Sequence, residues 1–289
     1  MTQESTAAKP SRRPRLGLVA VLSLLLFATV MPASAIENGR PDGPRHRNVG
    51  LMGIDLDGPG GPLPAFPLCS GFVISDFAFA TAAHCIDVFG PDAAWAVTLE
   101  PGSPDDPVAE PGLFDFSLFN ITDFPIHADV TFADAVCMHP AYDGQVGFEH
   151  DLAVLSFEPG TFDVPPVKLP EQGWLDHLAV AGSLTKMPLR LVGYGTEGRQ
   201  GDGPFFFPGY RKTALTGITG VDPNWLFYGP NEMWTGDSGF ADSGSPQFLT
   251  GRAVSLQTFN LAEGQAQRLD TVSELSFLNG LLAGADCPS

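Results

Sequence analysis

Short apolar runs separated by turn residues restrict most strongly how this chain can fold. The 289 residues include 33 glycines and 27 prolines, which favour turns. Between the turns, the runs have the length of a β-strand and are too short for a typical buried helix. They include Cys69–Ser75, Leu152–Phe157, Leu189–Gly193 and Ala253–Phe259. The pattern predicts an all-β sandwich or barrel.

One helix is predicted, at the C-terminal end of the chain. Thr271 and Glu274 have the spacing of a capping box, in which two side chains satisfy free N–H groups of the first helical turn. Gly284 is suited to end the helix. Between these signals, apolar residues recur at helical spacing, at Val272, Leu275, Leu278 and Leu282.

The first 35 residues have the pattern of an export signal. Basic residues Arg12, Arg13 and Arg15 precede the apolar run Leu16–Val30, and a small-residue cleavage site, Ala33-Ser34-Ala35, follows it. A membrane anchor is the alternative, although the run is short for a membrane span. We expect a secreted protein that is free of the membrane once the signal is removed.

The formal net charge of −18 limits the partners that the chain can have. Such an acidic surface repels nucleic acid and anionic lipid, so neither is an expected partner. The acidic residues attract cationic substrates or form a solvated coat. No HExxH or similar ligand cluster is present, so no metal or other cofactor is expected.

Four cysteines occur, an even number behind an export signal, and this predicts two disulfides. Spacing alone leaves all three pairings open. A zinc site is the alternative, but no CxxC pair supports it. The four are Cys69, Cys85, Cys137 and Cys287.

Two motifs carry a resemblance to a known family. The block Thr81-Ala82-Ala83-His84-Cys85 follows the run that begins at Cys69, and together they are similar to the catalytic-histidine motif of the trypsin/chymotrypsin family of serine proteases. Asp151 begins the apolar run Leu152–Phe157 and follows a His-Pro element at His139, as the triad aspartate of that family does. The order His, Asp, Ser along the chain also matches.

Two serines compete for the role of nucleophile. Gly236-Asp237-Ser238-Gly239 spells the GDSG of the family motif GDSGGP, and Ala241-Asp242-Ser243-Gly244-Ser245-Pro246 resembles the whole motif. The second alignment keeps the proline and places Asp237 and Ser238 where trypsins carry Asp-Ser in the substrate pocket. We therefore expect Ser243 to be the nucleophile and Ser238 a pocket residue.

The resemblance extends over nearly all of residues 36–283 and implies the fold. We expect two packed six-stranded antiparallel β-barrels, at about residues 49–160 and about residues 161–268, followed by an α-helix at about residues 271–283. The family comparison also implies the pairing Cys69–Cys85, which leaves Cys137 for Cys287. A monomer is expected.

The resemblance also implies a mechanism. His84 would act as general base, Asp151 would orient it, and Ser243 would attack a peptide carbonyl to form an acyl-enzyme. The N–H groups of Ala241 and Ser243 would bind the oxyanion. Because alanine replaces the family's glycine at position 241, a catalytically inactive homologue that acts as an extracellular binding protein is the alternative.

Further residues are assigned to the substrate pocket and to activation. Asp237, Thr258 and Asn260 would bind substrate, with Asp237 favouring cleavage after Arg or Lys. Asn260 stands where the family has a glycine and would narrow the pocket, which favours a small-residue preference instead. Cleavage after Ala35 would free the ammonium of Ile36 to pair with Asp242.

Overall fold

Antiparallel sheets account for most of the regular structure. The computed structural model describes residues 36, 38–114, 121–144, 149–197, 205–258 and 264–287. The predicted export signal at residues 1–35 and the predicted pocket residue Asn260 lie outside this part.

Sixteen strands are formed in the described residues. The first nine are β1 (Arg40–Pro41), β2 (Val49–Asp55), β3 (Phe66–Ser75), β4 (Ala78–Thr81), β5 (Ala94–Thr98), β6 (Gly112–Phe114), β7 (Thr131–Phe132), β8 (Ala135–Met138) and β9 (Ala153–Ser156). The others are β10 (Pro188–Gly193), β11 (Phe205–Phe207), β12 (Lys212–Val221), β13 (Trp225–Gly229), β14 (Pro246–Leu249), β15 (Arg252–Gln257) and β16 (Gln265–Arg268).

Helices are short and few. The α-helices are α1 (Ala83–Asp87), α2 (Trp174–Val180) and α3 (Val272–Leu282), and two 3₁₀ helices cover Ile121–Asp123 and Leu184–Lys186. None of the helices in the described part of the chain is long and apolar enough to span a membrane.

The N-terminal sheet curls around its own apolar core. Its seven strands lie in the order β7-β5-β2-β3-β4-β9-β8, and all its pairings are antiparallel. Every residue of β2 and nearly every residue of β3 is buried, including the polar Asp55 and Ser70, so both faces of these strands are covered. Phe72, Phe79 and Leu155 are fully buried within this core.

The C-terminal sheet closes on itself. Strands β12-β10-β14-β15-β16-β13 are neighbours in that order, and β13 pairs back with β12 to complete a six-stranded barrel, to which β1 adds an edge strand. Leu191, Leu226 and Val254 lie in its core. The predicted all-β fold is confirmed, with the difference that the N-terminal sheet is curled and not closed in the described residues.

Helix α3 ends the fold, and its buried face differs from the predicted one. The hydroxyl of Thr271 accepts a hydrogen bond from the Glu274 N–H at 3.4 Å, which is one of the two hydrogen bonds of a capping box. Glu274 itself is buried with Phe277 and Leu278, whereas Val272 is 59% exposed. In the first turn of α3, Glu274 therefore faces the body of the protein and Val272 faces solvent.

Two disulfides connect these elements, with the pairing implied by the family resemblance. Cys69–Cys85 joins β3 to α1, and Cys137–Cys287 joins β8 to the segment after α3. The second bridge fastens the C-terminal helix to the N-terminal sheet.

Candidate active site

A histidine and a buried carboxylate form the centre of the site. Asp151 is fully buried, and its Oδ1 accepts the backbone N–H of His84 at 2.8 Å. Its Oδ2 lies 2.7 Å from His84 Nδ1. Because a carboxylate accepts hydrogen bonds, this geometry suits the tautomer in which Nδ1 carries the proton, and a neutral imidazole then has its lone pair on Nε2. His84 is therefore oriented as a base.

Strand pairing explains why these two residues meet. Strand β4 pairs with β9 so that Thr81 lies opposite Ala153. His84 comes three residues after Thr81, and Asp151 two residues before Ala153, so both leave the same end of the strand pair. The antiparallel register thus joins two motifs that are far apart in sequence.

The turn that carries Ser243 packs against the strands that lead to His84. The Ser243 carbonyl accepts the Ser70 N–H at 2.8 Å, and Thr81 Oγ1 donates to the Ser70 carbonyl at 2.8 Å. A Cβ added to Gly244 would lie 2.3 Å from Thr81 Oγ1, so only glycine permits this approach. The hydrogen bond from Ser243 to His84 that catalysis needs stays a prediction.

Two backbone N–H groups of this turn are available to a ligand. Within the described residues, neither the Ala241 N–H nor the Ser243 N–H donates a hydrogen bond. Ala241 has φ +67°, a conformation that favours glycine, and its carbonyl accepts the Ser70 hydroxyl at 3.1 Å. Alanine therefore adopts a left-handed conformation where the family motif has glycine.

Asp242 lies beneath this turn and is fully buried. Its carboxylate accepts the N–H groups of Gly195 at 2.9 Å and Gly239 at 2.8 Å. Burial raises the Asp242 pKa to about 7, while these two N–H groups and the charge of Lys212 act in the opposite direction. Ile36 is 1% exposed in the core of the C-terminal barrel, and in the uncut chain its nitrogen belongs to a peptide bond.

The predicted pocket residues adjoin a buried polar network. Asp237 is half-buried and accepts the Ser238 N–H at 3.0 Å. The Ser238 hydroxyl lies 2.6 Å from the Tyr228 hydroxyl, which donates to Gln257 Oε1. Burial raises the pKa of Tyr228, so its hydroxyl stays protonated. Ser238 is thus hydrogen-bonded in the pocket region, and Thr258, also buried, follows Gln257.

Sequence reasoning missed Tyr228 and Gln257. Both lie on strands, β13 and β15, in segments without a polar motif. The available signal was Gln257 in the predicted buried strand Ala253–Phe259, since a buried amide requires hydrogen-bond partners.

One further histidine cluster has the residue types of a metal site but the wrong geometry. Ligand atoms of His139, His150 and Glu274 lie within 4.8 Å of one another. However, the two imidazole rings are stacked, with planes 8° apart, and His139 Nδ1 accepts the Ala141 N–H at 3.2 Å. Lone pairs in parallel planes do not converge on one ion, so the cluster is unsuited to tetrahedral binding.

Comparisons with known proteins identify the fold. No protein-family model matches the chain, and no curated protein matches it. Among solved structures, human heparin binding protein is similar, with a TM-score of 0.56 and 18% sequence identity over 87% of this chain and 98% of that one. The chain therefore has a chymotrypsin-like fold. This fold and the two disulfides are typical of extracellular proteins.

Proposed function

We propose that the chain is a secreted serine endopeptidase of the trypsin/chymotrypsin family. The observation that carries the proposal is the dyad of His84 and buried Asp151. The Ser243 turn packs against the strands that lead to His84, and two N–H groups of this turn donate no hydrogen bond within the described residues. A base with a fixed tautomer, a nearby hydroxyl and a pair of oxyanion donors are the parts that acyl transfer needs.

The residues act in sequence. His84 Nε2 takes the proton of Ser243 as its Oγ attacks a peptide carbonyl carbon, and the Ala241 and Ser243 N–H groups stabilise the oxyanion. The protonated His84, stabilised by Asp151, then gives its proton to the leaving amine. Water then attacks the acyl carbon as His84 takes its proton. The bond to Ser243 Oγ breaks, the carboxylic acid is released, and His84 returns the proton to Ser243.

The choice of Ser243 over Ser238 has independent support. The Ser238 hydroxyl lies 2.6 Å from the Tyr228 hydroxyl, whereas the Ser243 turn contacts the strands that lead to His84. A fluorophosphonate probe should label wild type and the matched control Ser238→Ala, and should not label Ser243→Ala. Labelling of Ser243→Ala with loss of labelling in Ser238→Ala would reverse the assignment.

Signal removal is proposed to activate the enzyme. Cleavage after Ala35 would make the nitrogen of Ile36 an ammonium, which would pair with the buried carboxylate of Asp242. Support comes from the Asp242 pKa, which burial raises to about 7. The positive charge of an Ile36 ammonium beside this carboxylate would favour its ionised form. N-terminal sequencing of active protein should begin at Ile36, and full activity of a chain extended before Ile36 would contradict the proposal.

Cleavage after Arg or Lys is the proposed specificity. Asp237 is half-buried beside Ser238, and its charge acts on the buried Tyr228 hydroxyl. A carboxylate there would pair with a basic side chain and disfavour an apolar one. Matched peptide substrates with Arg, Lys, Phe or Ala before the cut should show a basic preference that Asp237→Asn removes. Equal rates for all four would instead support the restricted pocket.

A catalytically inactive binding protein is the second candidate. The observation that favours it is Ala241, an alanine with φ +67° where the family motif has glycine. In addition, the name of the similar human protein describes binding and not hydrolysis. Absence of probe labelling in correctly folded, disulfide-bonded wild type would favour this candidate over the endopeptidase.

A further inference from the structure

We propose that Glu274 on helix α3 is a positioning residue of the active site, which holds His150 so that the next residue, Asp151, is aimed at His84. The inference rests on the proposed function. It assigns the C-terminal helix a part in orienting the catalytic base, in addition to closing the fold.

His150 has a backbone conformation that needs support. It directly precedes Asp151 and has φ +57°, a left-handed conformation that is unfavourable for a residue with a Cβ. Such a conformation persists only when the surroundings hold it. A change in the His150 backbone would rotate the peptide that leads into Asp151.

Two side chains hold His150 from the C-terminal part of the chain. Its backbone N–H donates to Gln267 Oε1 on β16 at 3.0 Å. Its ring Nδ1 lies 2.6 Å from Glu274 Oε1. The Glu274 side chain is 1% exposed and that of His150 is 25% exposed, so the contact is shielded from solvent at the carboxylate.

Glu274 depends on this one contact. Its other oxygen, Oε2, has no hydrogen-bond partner among the described residues. A buried carboxylate is costly unless it is paired, so the bond to His150 is the compensation that this part of the structure offers. A glutamate that only capped the helix would direct its side chain to Thr271 and would remain at the surface.

The residues on both sides of Asp151 are fixed. His139 stacks on the His150 ring with centroids 4.8 Å apart, and its backbone N–H donates to the Leu152 carbonyl at 2.8 Å. Its Nε2 lies 3.1 Å from the hydroxyl of Ser273 on α3. Contacts therefore run without a gap from α3 through His150 to Asp151, which forms both hydrogen bonds to His84.

The test compares Glu274→Ala, Glu274→Gln and the matched control Ser276→Ala, which lies on the exposed side of the same helix. The variants are made in the full chain with both disulfides, and urea unfolding verifies that each is folded. Activity is measured as kcat and KM on one peptide substrate. The hydrogen-bonded imidazole N–H protons are followed by NMR, with His84→Gln identifying the resonance of His84.

We expect Glu274→Ala to shift the His84 N–H resonance and to remove the His150 resonance. It should lower kcat by about 10- to 100-fold at nearly constant KM, because a small misplacement of a catalytic group has an effect of this size. Glu274→Gln keeps the acceptor oxygen and should recover most of the loss. Ser276→Ala should retain both resonances and wild-type kcat.

The inference is overturned if Glu274→Ala is folded and loses the His150 resonance while the His84 resonance and kcat stay unchanged. Glu274 would then be structural only. The NMR result does not require turnover, so it decides the inference even if wild type fails to hydrolyse peptides or to label with the probe. Those two failures count against the proposed function and not against the contact between Glu274 and His150.

Discussion

Acid should destabilise the protein through His139, a buried histidine that stays neutral in the folded state. His139 is 4% exposed, and its ring is surrounded by the His150 and Phe277 rings, the Ser273 hydroxyl and the Ala141 N–H. Burial, and after it the charge of His150, lowers the His139 pKa from 6.5 to about 4. In the unfolded chain the ordinary value applies.

The sign and size of the effect follow from proton linkage. Between pH 6.5 and pH 4 the unfolded chain binds more protons at His139, so the free energy of unfolding falls as the pH is lowered. The total contribution is about 3 kcal/mol, of which about 2 kcal/mol is lost between pH 7 and pH 5. This contribution is nearly complete at pH 7 and above.

Urea unfolding of wild type and His139→Gln at pH 7 and pH 5 measures the contribution of His139 to the free energy of unfolding. Loss of ring packing lowers the stability of the variant at both pH values, so the comparison uses the change with pH, which should be about 2 kcal/mol smaller than in wild type. His127→Gln is the matched control, because His127 is 51% exposed and pairs with an exposed glutamate. If wild type and His139→Gln lose the same stability between the two pH values, the reasoning is wrong.

Three other changes test the site and its frame. Asp151→Asn should lower kcat by about 10⁴-fold with little change in KM, since the imidazole loses its orientation, and a loss below tenfold would exclude a triad. Ala241→Gly should raise the free energy of unfolding by about 1 kcal/mol and increase the rate of probe labelling, because glycine adopts φ +67° without a steric penalty. An unchanged urea midpoint would contradict this. Replacing both Cys137 and Cys287 by serine should lower the free energy of unfolding by about 2–5 kcal/mol, since their disulfide spans 150 residues. Unchanged stability would show that this disulfide does not stabilise the protein.

The sequence by itself determined the fold class and the main candidate residues. Periodicity and turn composition are local properties, so apolar runs such as Leu152–Phe157 and Leu189–Gly193 were recognisable as buried strands. The His84 and Asp151 motifs were recognisable for the same reason, because each is a contiguous block. Their meeting, however, depends on the register of β4 with β9.

The tertiary structure alone decided the contacts between distant segments. Glu274 has the sequence signature of a helix cap, but its side chain is directed to His150, which is 124 positions away. Tyr228 likewise meets Gln257 only because β13 and β15 lie in the same closed barrel, and its hydroxyl also contacts Ser238. Pairings of this kind depend on strand order and burial, and a single sequence encodes them only through the whole fold.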